Sequence, residues 1–132
     1  MPKTLQIGDR LEIAIDRLSF TGKGIGRVDN FVIFIPHTIP GDIVKAEITS
    51  RKKRYADARA VEFIRHSEDS IEAKCRHFGI CGGCSFQNLP YDLQLEAKEE
   101  AVREHIRRIG KIEESPLAKI VLSEKQFFYR NK

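Results

Sequence analysis

The chain contains few cysteines, no tryptophan and no long apolar segment. Its 132 residues include only three cysteines, whereas secreted disulfide-stabilised domains use an even number spread along the chain, so a disulfide framework is excluded. No segment approaches the run of about 20 apolar residues that crosses a membrane, and no signal peptide is visible at the start. Internal repeats and low-complexity stretches are also absent. These absences predict a cytoplasmic protein, in which thiols stay reduced and available for metal.

Positive charge is concentrated in the first half of the chain. Residues 1–66 hold 12 Lys and Arg against 8 Asp and Glu, whereas residues 67–132 hold 11 of each kind. An anionic partner is therefore expected at the first half. Nucleic acid is favoured over the alternative that a net charge of +4 is an ordinary solvated surface. The length allows one ordinary domain, or a small domain with an appendage.

The first half is predicted to form a small β-barrel. Apolar and polar residues alternate at 11–15 and again at 44–49, which is typical of half-buried strands. The continuous apolar run at 31–35 predicts a strand that is covered on both sides, and a last strand is expected from about residue 55 to residue 64. Five short strands with glycine at the corners, and no helix among them, favour an OB-like barrel.

Three glycines, Gly22, Gly24 and Gly26, are predicted to form a loop between strands. A dinucleotide-binding fingerprint has a different spacing and opens a helix, so that interpretation is excluded. Lys23 and Arg27 flank these glycines. A flat loop at this point would allow both side chains to approach a phosphate backbone closely.

Four consecutive positive charges lie in a predicted turn before the last strand: Arg51, Lys52, Lys53 and Arg54. Like charges repel one another, and a polyanion relieves that repulsion. Small β-barrels also bind single-stranded nucleic acid with a basic groove and stacking aromatic residues, for which Tyr55 and Phe20 are candidates if they are not core residues. The alternative is a solvated hairpin tip whose lysines prevent edge pairing.

All three cysteines, Cys75, Cys81 and Cys84, fall in the ten-residue run CRHFGICGGC. Soft thiolates on a short glycine-rich loop suit zinc or an iron–sulfur cluster. Either group needs four ligands, so a histidine, His77 or His66, completes the set, or a fourth cysteine lies outside the chain. Zinc ligands usually come as two separated pairs, whereas three close cysteines and one distant ligand are typical of iron–sulfur clusters.

A long amphipathic helix is predicted after the cysteines. Asn88 is expected to cap it, with Pro90 in the first turn and Gly110 at the end. Acidic residues come early and basic residues late, which suits the helix dipole. Residues 111–115 are then a predicted linker, and residues 119–132 a strand followed by an unfinished element.

The cysteine run and the residues after it carry a family resemblance. The spacing C-x5-CGGC at 75–84, followed by Gln87, Tyr91 and Lys98, resembles the iron–sulfur segment of the RNA uracil-5-methyltransferase family. The first half, with its glycines at 22–26 followed by FIP and IPGD, is similar to the TRAM domain found in many of those enzymes. The terminal YRNK resembles the start of the family's central region.

This resemblance implies a division into three parts. Residues 1–66 would be an RNA-binding TRAM domain, 67–90 an iron–sulfur loop, and 91–132 the amphipathic helix with the truncated start of a central α+β region. The implied fold is mainly β with one long helix. The RNA contacts expected in it are Lys23, Arg27, Arg51, Lys52, Lys53 and Arg54.

The resemblance also implies the chemistry and partners of the longer enzyme. Cys75, Cys81 and Cys84 would hold a [4Fe-4S] cluster whose fourth ligand lies outside this chain. S-adenosylmethionine and the nucleophilic cysteine would belong to a domain beyond Lys132, so these 132 residues alone are expected to be inactive. The expected partner is RNA, ribosomal RNA before transfer RNA, with neither DNA nor membrane, and the protein is expected to be a monomer.

Two other classes of protein are considered. The first is a free-standing small RNA-binding protein with a zinc or redox-sensing cysteine site, which differs from the enzyme in having no donor-binding domain. The second is a radical enzyme that carries a TRAM domain. That class fits poorly, because its cluster cysteines would precede the TRAM domain and follow a different spacing.

Overall fold

A computed structural model describes residues 4–29, 31–114 and 116–129. It forms two compact units, Met1–Pro90 and Tyr91–Lys132. None of the described residues form a helix with the length and apolar character of a membrane span. The elements in chain order are β1 (Arg10–Ala14), β2 (Arg17–Leu18), β3 (Gly24–Val28), β4 (Phe31–Ile35), β5 (Ile43–Arg51), β6 (Tyr55–Arg65) and α1 (Tyr91–Arg108).

The strands form one six-stranded sheet in the order β1-β5-β6-β4-β3-β2. Strands β4 and β6 are parallel, and the other neighbours are antiparallel. β1 and β2 behave as two parts of one bent strand, because Ile15 N donates to Asp42 O at 2.9 Å and the next amide, Asp16 N, donates to Ile25 O at 2.9 Å. The chain therefore leaves the β5 edge and joins the β3 edge within two residues.

Counting β1 and β2 as one strand gives the five-strand pattern of an OB fold, with its two sheet ends brought together. The predicted mainly-β, OB-like fold is confirmed. The sheet has six strands where five were expected, because the first strand is interrupted at the bend.

The core lies on the inward face of these strands. Ile13, Ile33, Ile35, Val44 and Ile48 are fully buried or nearly so and belong to one cluster. The predicted cover on both sides of β4 is wrong: its remaining residues are only half-buried. An all-apolar run looks the same from the sequence whether one face or two faces are covered.

Two of the glycines predicted to form a loop lie instead within β3. A Cβ on Gly24 would collide with Thr38 Oγ1 and with Ile15, and a Cβ on Gly26 would collide with the Ile13 side chain. The bent first strand and the turn after β4 approach β3 this closely because β3 has no side chain there. The loop prediction holds for Gly22, whose φ of +84° is a conformation that favours glycine.

The second unit contains the predicted helix, α1. Ion pairs at the spacing of one helical turn join Arg103 to Glu99 and Glu100, and Arg107 to Glu104. The Tyr91 hydroxyl accepts a hydrogen bond from Ser123 N at 2.8 Å. The predicted strand from residue 119 is wrong for residues 119–129, which contain neither strand nor helix; residues 130–132 lie outside the described residues.

The predicted capping role of Asn88 is also wrong. Its amide group donates from Nδ2 to the His37 carbonyl oxygen at 3.2 Å. Asn88 therefore ties the segment after the cysteines to the turn that follows β4. A sequence window around the helix start contains Asn88 but not its partner, which lies 51 residues away.

Candidate nucleic-acid interface

Strands β3, β4 and β6 present one outward face. Its side chains form two rows of register partners: Arg27, Val32 and Tyr55 in one, and Ile25, Phe34 and Asp57 in the other. The row between them contains Ile33 and Ala56, which are fully buried in the core. Side chains alternate between the faces of a sheet, so the two named rows point away from the core.

An aromatic pair lies on this face. The rings of Phe34 and Tyr55 meet edge to face, with centroids 5.7 Å apart, and Tyr55 keeps 40% of its surface exposed. An aromatic ring that is held by its neighbour and open to solvent suits stacking of an unpaired base. Tyr55 is therefore a surface residue, whereas Phe34 was not among the candidates from the sequence. Phe20, the other candidate, is 65% exposed in the turn before β3.

Charged side chains surround the aromatic pair. Arg27 is exposed on β3, and Lys23, just before β3, reaches Asp57 on β6 with 3.4 Å between Nζ and Oδ1. Strand β4 lies between β3 and β6, so this ion pair passes over β4 on the outward face. We call Lys23, Arg27, Phe34, Tyr55 and Asp57 the basic–aromatic face.

The predicted basic turn adjoins this face. Lys52, Lys53 and Arg54 are exposed between β5 and β6, and the turn closes through a hydrogen bond from Lys52 N to Tyr55 O at 2.8 Å. Arg51 lies over the Phe31 ring at 5.2 Å. The fold therefore places Lys23, Arg27 and the turn residues 52–54 around Tyr55 and its neighbours, whereas Arg51 lies over Phe31, which packs against the core. When β1 and β2 are counted as one strand, β3 and β4 correspond to strands 2 and 3 of an OB fold. In OB folds the face of these two strands, together with the loop before strand 2 and the loop between strands 4 and 5, binds oligonucleotides.

The three cysteines lie on an exposed loop. Cys75, Cys81 and Cys84 are all free and exposed. Gln87 links the two ends of this loop, because its Oε1 accepts a hydrogen bond from Cys75 N and its Nε2 donates to Cys84 Sγ, both at 3.1 Å. Within the described residues, no three His, Cys, Asp or Glu side chains lie together in a group that would hold a metal ion.

In the described residues, neither histidine considered as a fourth ligand forms a metal-binding group with two of the thiols. The His66 ring stacks on Phe63, with centroids 4.6 Å apart. The backbone carbonyl of His77 accepts hydrogen bonds from Ile80 N and Cys81 N and so shapes the loop. Three thiols are chemically suited to a soft metal or cluster that takes one more ligand from elsewhere, but in the described residues they are not gathered into one metal-binding group.

The cysteine loop packs against the sheet beside the basic–aromatic face. A Cβ on Gly22 would lie 2.7 Å from the Phe86 ring, so Phe86 covers the turn that carries Lys23. On the other side, Phe78 meets the His37 ring edge to face at 4.9 Å. His37 Nδ1 and the Asn88 side-chain oxygen are buried nearby without a hydrogen-bond partner in the described part of the chain.

Comparison with known proteins identifies the first unit. Residues 4–61 match the TRAM domain. A Bacteroides thetaiotaomicron protein named an uncharacterized RNA methyltransferase is 45% identical over 84% of this chain and 24% of its own length. The Methylococcus capsulatus 23S rRNA (uracil(1939)-C(5))-methyltransferase RlmD is 43% identical over 75% of this chain and 22% of its own length.

One solved structure is similar to this chain, with a lower sequence identity than these two relatives. The Pyrococcus abyssi tRNA (uracil-54, C5)-methyltransferase is 27% identical over 71% of this chain and 21% of that chain, with a TM-score of 0.47. The chain spans about a quarter of the length of the curated relatives. The resemblance stated from the sequence is confirmed: residues 4–61 match the TRAM domain, and the relatives that this chain resembles are named RNA methyltransferases.

Proposed function

We propose that this chain is the RNA-binding part of an S-adenosylmethionine-dependent RNA (uracil-C5) methyltransferase that acts on ribosomal RNA. The observation that carries the proposal is the basic–aromatic face within a TRAM domain. The target base and the RNA class are taken from the relative named RlmD. Donor binding and methyl transfer are assigned to parts of the enzyme outside these 132 residues.

The face binds RNA through two kinds of contact. Lys23, Arg27 and the turn at 51–54 neutralise phosphates and release their counterions. Tyr55, supported by Phe34, offers a ring on which an unpaired base stacks. Stacking requires a base outside a double helix, so the preferred ligand is single-stranded RNA or a loop.

The salt dependence of binding tests this proposal. Each phosphate contact in a single-stranded complex contributes about 0.7 to the slope of log K against log salt. Replacing Lys52, Lys53 and Arg54 with Ala is expected to weaken binding of all sequences alike and to reduce that slope by up to about 2. Anisotropy titrations of a labelled single-stranded RNA at several salt concentrations measure the change.

A control variant removes the same charge elsewhere. Lys111, Lys119 and Lys125 lie outside the TRAM residues 4–61, and their replacement with Ala is expected to leave the slope close to the wild-type value. Equal slopes for the wild-type chain and the variant of the turn would remove residues 52–54 from the RNA interface. Absence of binding by the wild-type chain would refute the function itself.

We further propose that Cys75, Cys81 and Cys84 hold a [4Fe-4S] cluster. Three exposed thiols on one glycine-rich loop, with its ends already joined by Gln87, support this assignment. When bound, the cluster would cross-link three points of the loop. Because Phe86 packs on the turn of Lys23, the cluster loop also supports the shape of the basic–aromatic face.

Reconstitution tests the cluster. With iron and sulfide under anaerobic conditions, the chain is expected to develop a broad visible absorbance, weak because only three thiolates are present. Changing any one of the three cysteines to Ser is expected to abolish it, whereas Ser85→Ala beside them is expected to leave it. Stoichiometric zinc with no uptake of iron would replace the cluster with a zinc site.

A further inference from the structure

We propose that Asp57 reads the base that stacks on the aromatic pair, favouring bases with an exocyclic amino group over uracil. This inference rests on the proposed RNA binding. It concerns the single carboxylate of the basic–aromatic face, a group that a polyanion-binding surface would otherwise exclude because it repels phosphate.

The fold places the Asp57 carboxylate beside the aromatic rings. Asp57 is the register partner of Phe34 across the β4–β6 pair, and Tyr55 lies two residues earlier on the same face of β6. The residues on either side of Asp57, Ala56 and Ala58, are buried in the core. The orientation of Asp57 is thereby fixed outward, next to any base that stacks on Tyr55.

The Asp57 carboxylate can accept a hydrogen bond from a bound base. Its Oδ1 faces Lys23 Nζ at 3.4 Å, a long ion pair, and 33% of the side chain is exposed. An RNA phosphate that binds this face competes with the Asp57 carboxylate for Lys23, because both the phosphate and the carboxylate are anions. Once Lys23 turns to phosphate, Asp57 is left as an acceptor beside the stacked base.

The chemistry of the bases then decides the preference. Cytosine and adenine present an amino group on the Watson–Crick edge, and a carboxylate accepts a hydrogen bond from such a group. Uracil presents two carbonyl oxygens around one N–H, so its oxygens repel the carboxylate. One charge-assisted hydrogen bond corresponds to about a tenfold difference in Kd.

Homopolymeric RNA measures this preference directly. Labelled single strands of about 12 nucleotides, made of cytosine, adenine or uracil, are titrated with the 132-residue chain at fixed salt. The wild-type chain is expected to bind oligo(C) and oligo(A) about tenfold more tightly than oligo(U). For the Asp57→Ala variant, the ratio of the Kd for oligo(U) to the Kd for oligo(C) or oligo(A) is expected to fall to about one.

Two further variants keep the test decisive. Glu62→Ala removes one negative charge from an exposed position of the same strand, outside the residues paired with β4, and is expected to keep the wild-type ratio. Asp57→Asn preserves the shape if the alanine variant does not fold. The asparagine amide also donates to the uracil oxygens, so the ratio of Kd values between oligo(U) and the other two RNAs is again expected to approach one.

The outcomes separate this inference from the proposed function. If Asp57→Ala tightens all three strands equally and keeps their ratio, the carboxylate only repels RNA and the inference is wrong. If the wild-type chain binds all three strands equally, the inference is wrong while RNA binding stands. If the wild-type chain binds none of them, the proposed function and this inference fall together.

Discussion

At the scale of single residues, the absence of a side chain at Gly24 and Gly26 determines how closely the sheet can fold on itself. A Cβ at either position meets atoms of the bent first strand or of Thr38. Gly24→Ala and Gly26→Ala are each expected to lower the free energy of unfolding by about 1–3 kcal/mol, because neither backbone nor core can shift freely. Urea unfolding followed by circular dichroism measures the loss.

The matched control is Gly82→Ala on the cysteine loop. A Cβ there would meet no atom within 4 Å, and the change is expected to stay within about 0.5 kcal/mol. An equal loss in all three variants would mean that conformational freedom, rather than close approach, explains the glycines of β3.

The role of a residue could be predicted from the sequence where its immediate neighbours in the chain revealed it. The turn at 51–54 was predictable because four like charges in a row exclude burial. Phe34 was hidden in an all-apolar run, where no polar neighbour marks the outward positions. The Lys23–Asp57 contact joins residues 34 apart, and only the order of strands in the sheet brings them together.

At the scale of elements, one carboxylate joins three strands. Glu47 on β5 accepts hydrogen bonds from Arg59 on β6 and from Arg10 on β1, both at 2.9 Å. The bond from Arg59, and then that from Arg10, holds the pKa of the Glu47 carboxyl below its ordinary value. The folded protein therefore binds this proton less readily than the unfolded chain does.

Stability is expected to depend on pH through this group. Its contribution is complete above the ordinary pKa of a glutamate carboxyl, the value in the unfolded chain, and is lost as the pH falls through the lowered pKa of the folded state. Glu47→Gln is expected to be less stable than the wild-type chain at neutral pH, with the difference shrinking under acid. Urea unfolding at pH 7 and pH 3 compares the two.

The exposed Glu68→Gln provides the control for a change of charge alone and is expected to show a smaller difference at neutral pH. A Glu47→Gln deficit that is the same at both pH values would assign the effect to packing instead of the two arginine bonds.

Element boundaries were predictable where the signal was periodic. Helix α1 follows from its repeating apolar positions and its charge order. The strand expected from residue 119 does not form in residues 119–129, because a run of strand-forming residues without pairing partners does not make a sheet. The interruption between β1 and β2 likewise depends on contacts with Asp42 and Ile25 that no local pattern reveals.

At the scale of the whole molecule, the TRAM domain and the cysteine loop form one compact unit up to Pro90. Gly22 and Phe86 meet in it, although 64 residues separate them in the sequence. The sequence pattern marks the cysteine loop as a candidate site but gives no reason to place it beside the basic–aromatic face. The existence of the TRAM domain and of the cysteine loop could each be predicted from the sequence, whereas the packing of one against the other could be seen only in the structure.

In the proposed methyltransferase, RNA binding and methyl-donor binding are expected to belong to different parts of the protein. A pocket for a methyl donor is built on a sheet whose glycine-rich loop leads into a helix. In the described residues, α1 follows the sequence NLP, with Pro90 directly before Tyr91, so its start offers no such loop. The chain also spans only about a quarter of the relatives named RNA methyltransferase.

We therefore expect no specific binding of S-adenosylmethionine to residues 1–132 and no methyl transfer to RNA, with or without a reconstituted cluster. Titration calorimetry measures donor binding, and single-stranded RNA titrated into the same preparation tests the proposed binding to the basic–aromatic face. Saturable heat from the donor alone would mean that part of the donor site lies within these residues. The helix unit would then be the first place to search for it, since the TRAM residues form the basic–aromatic face.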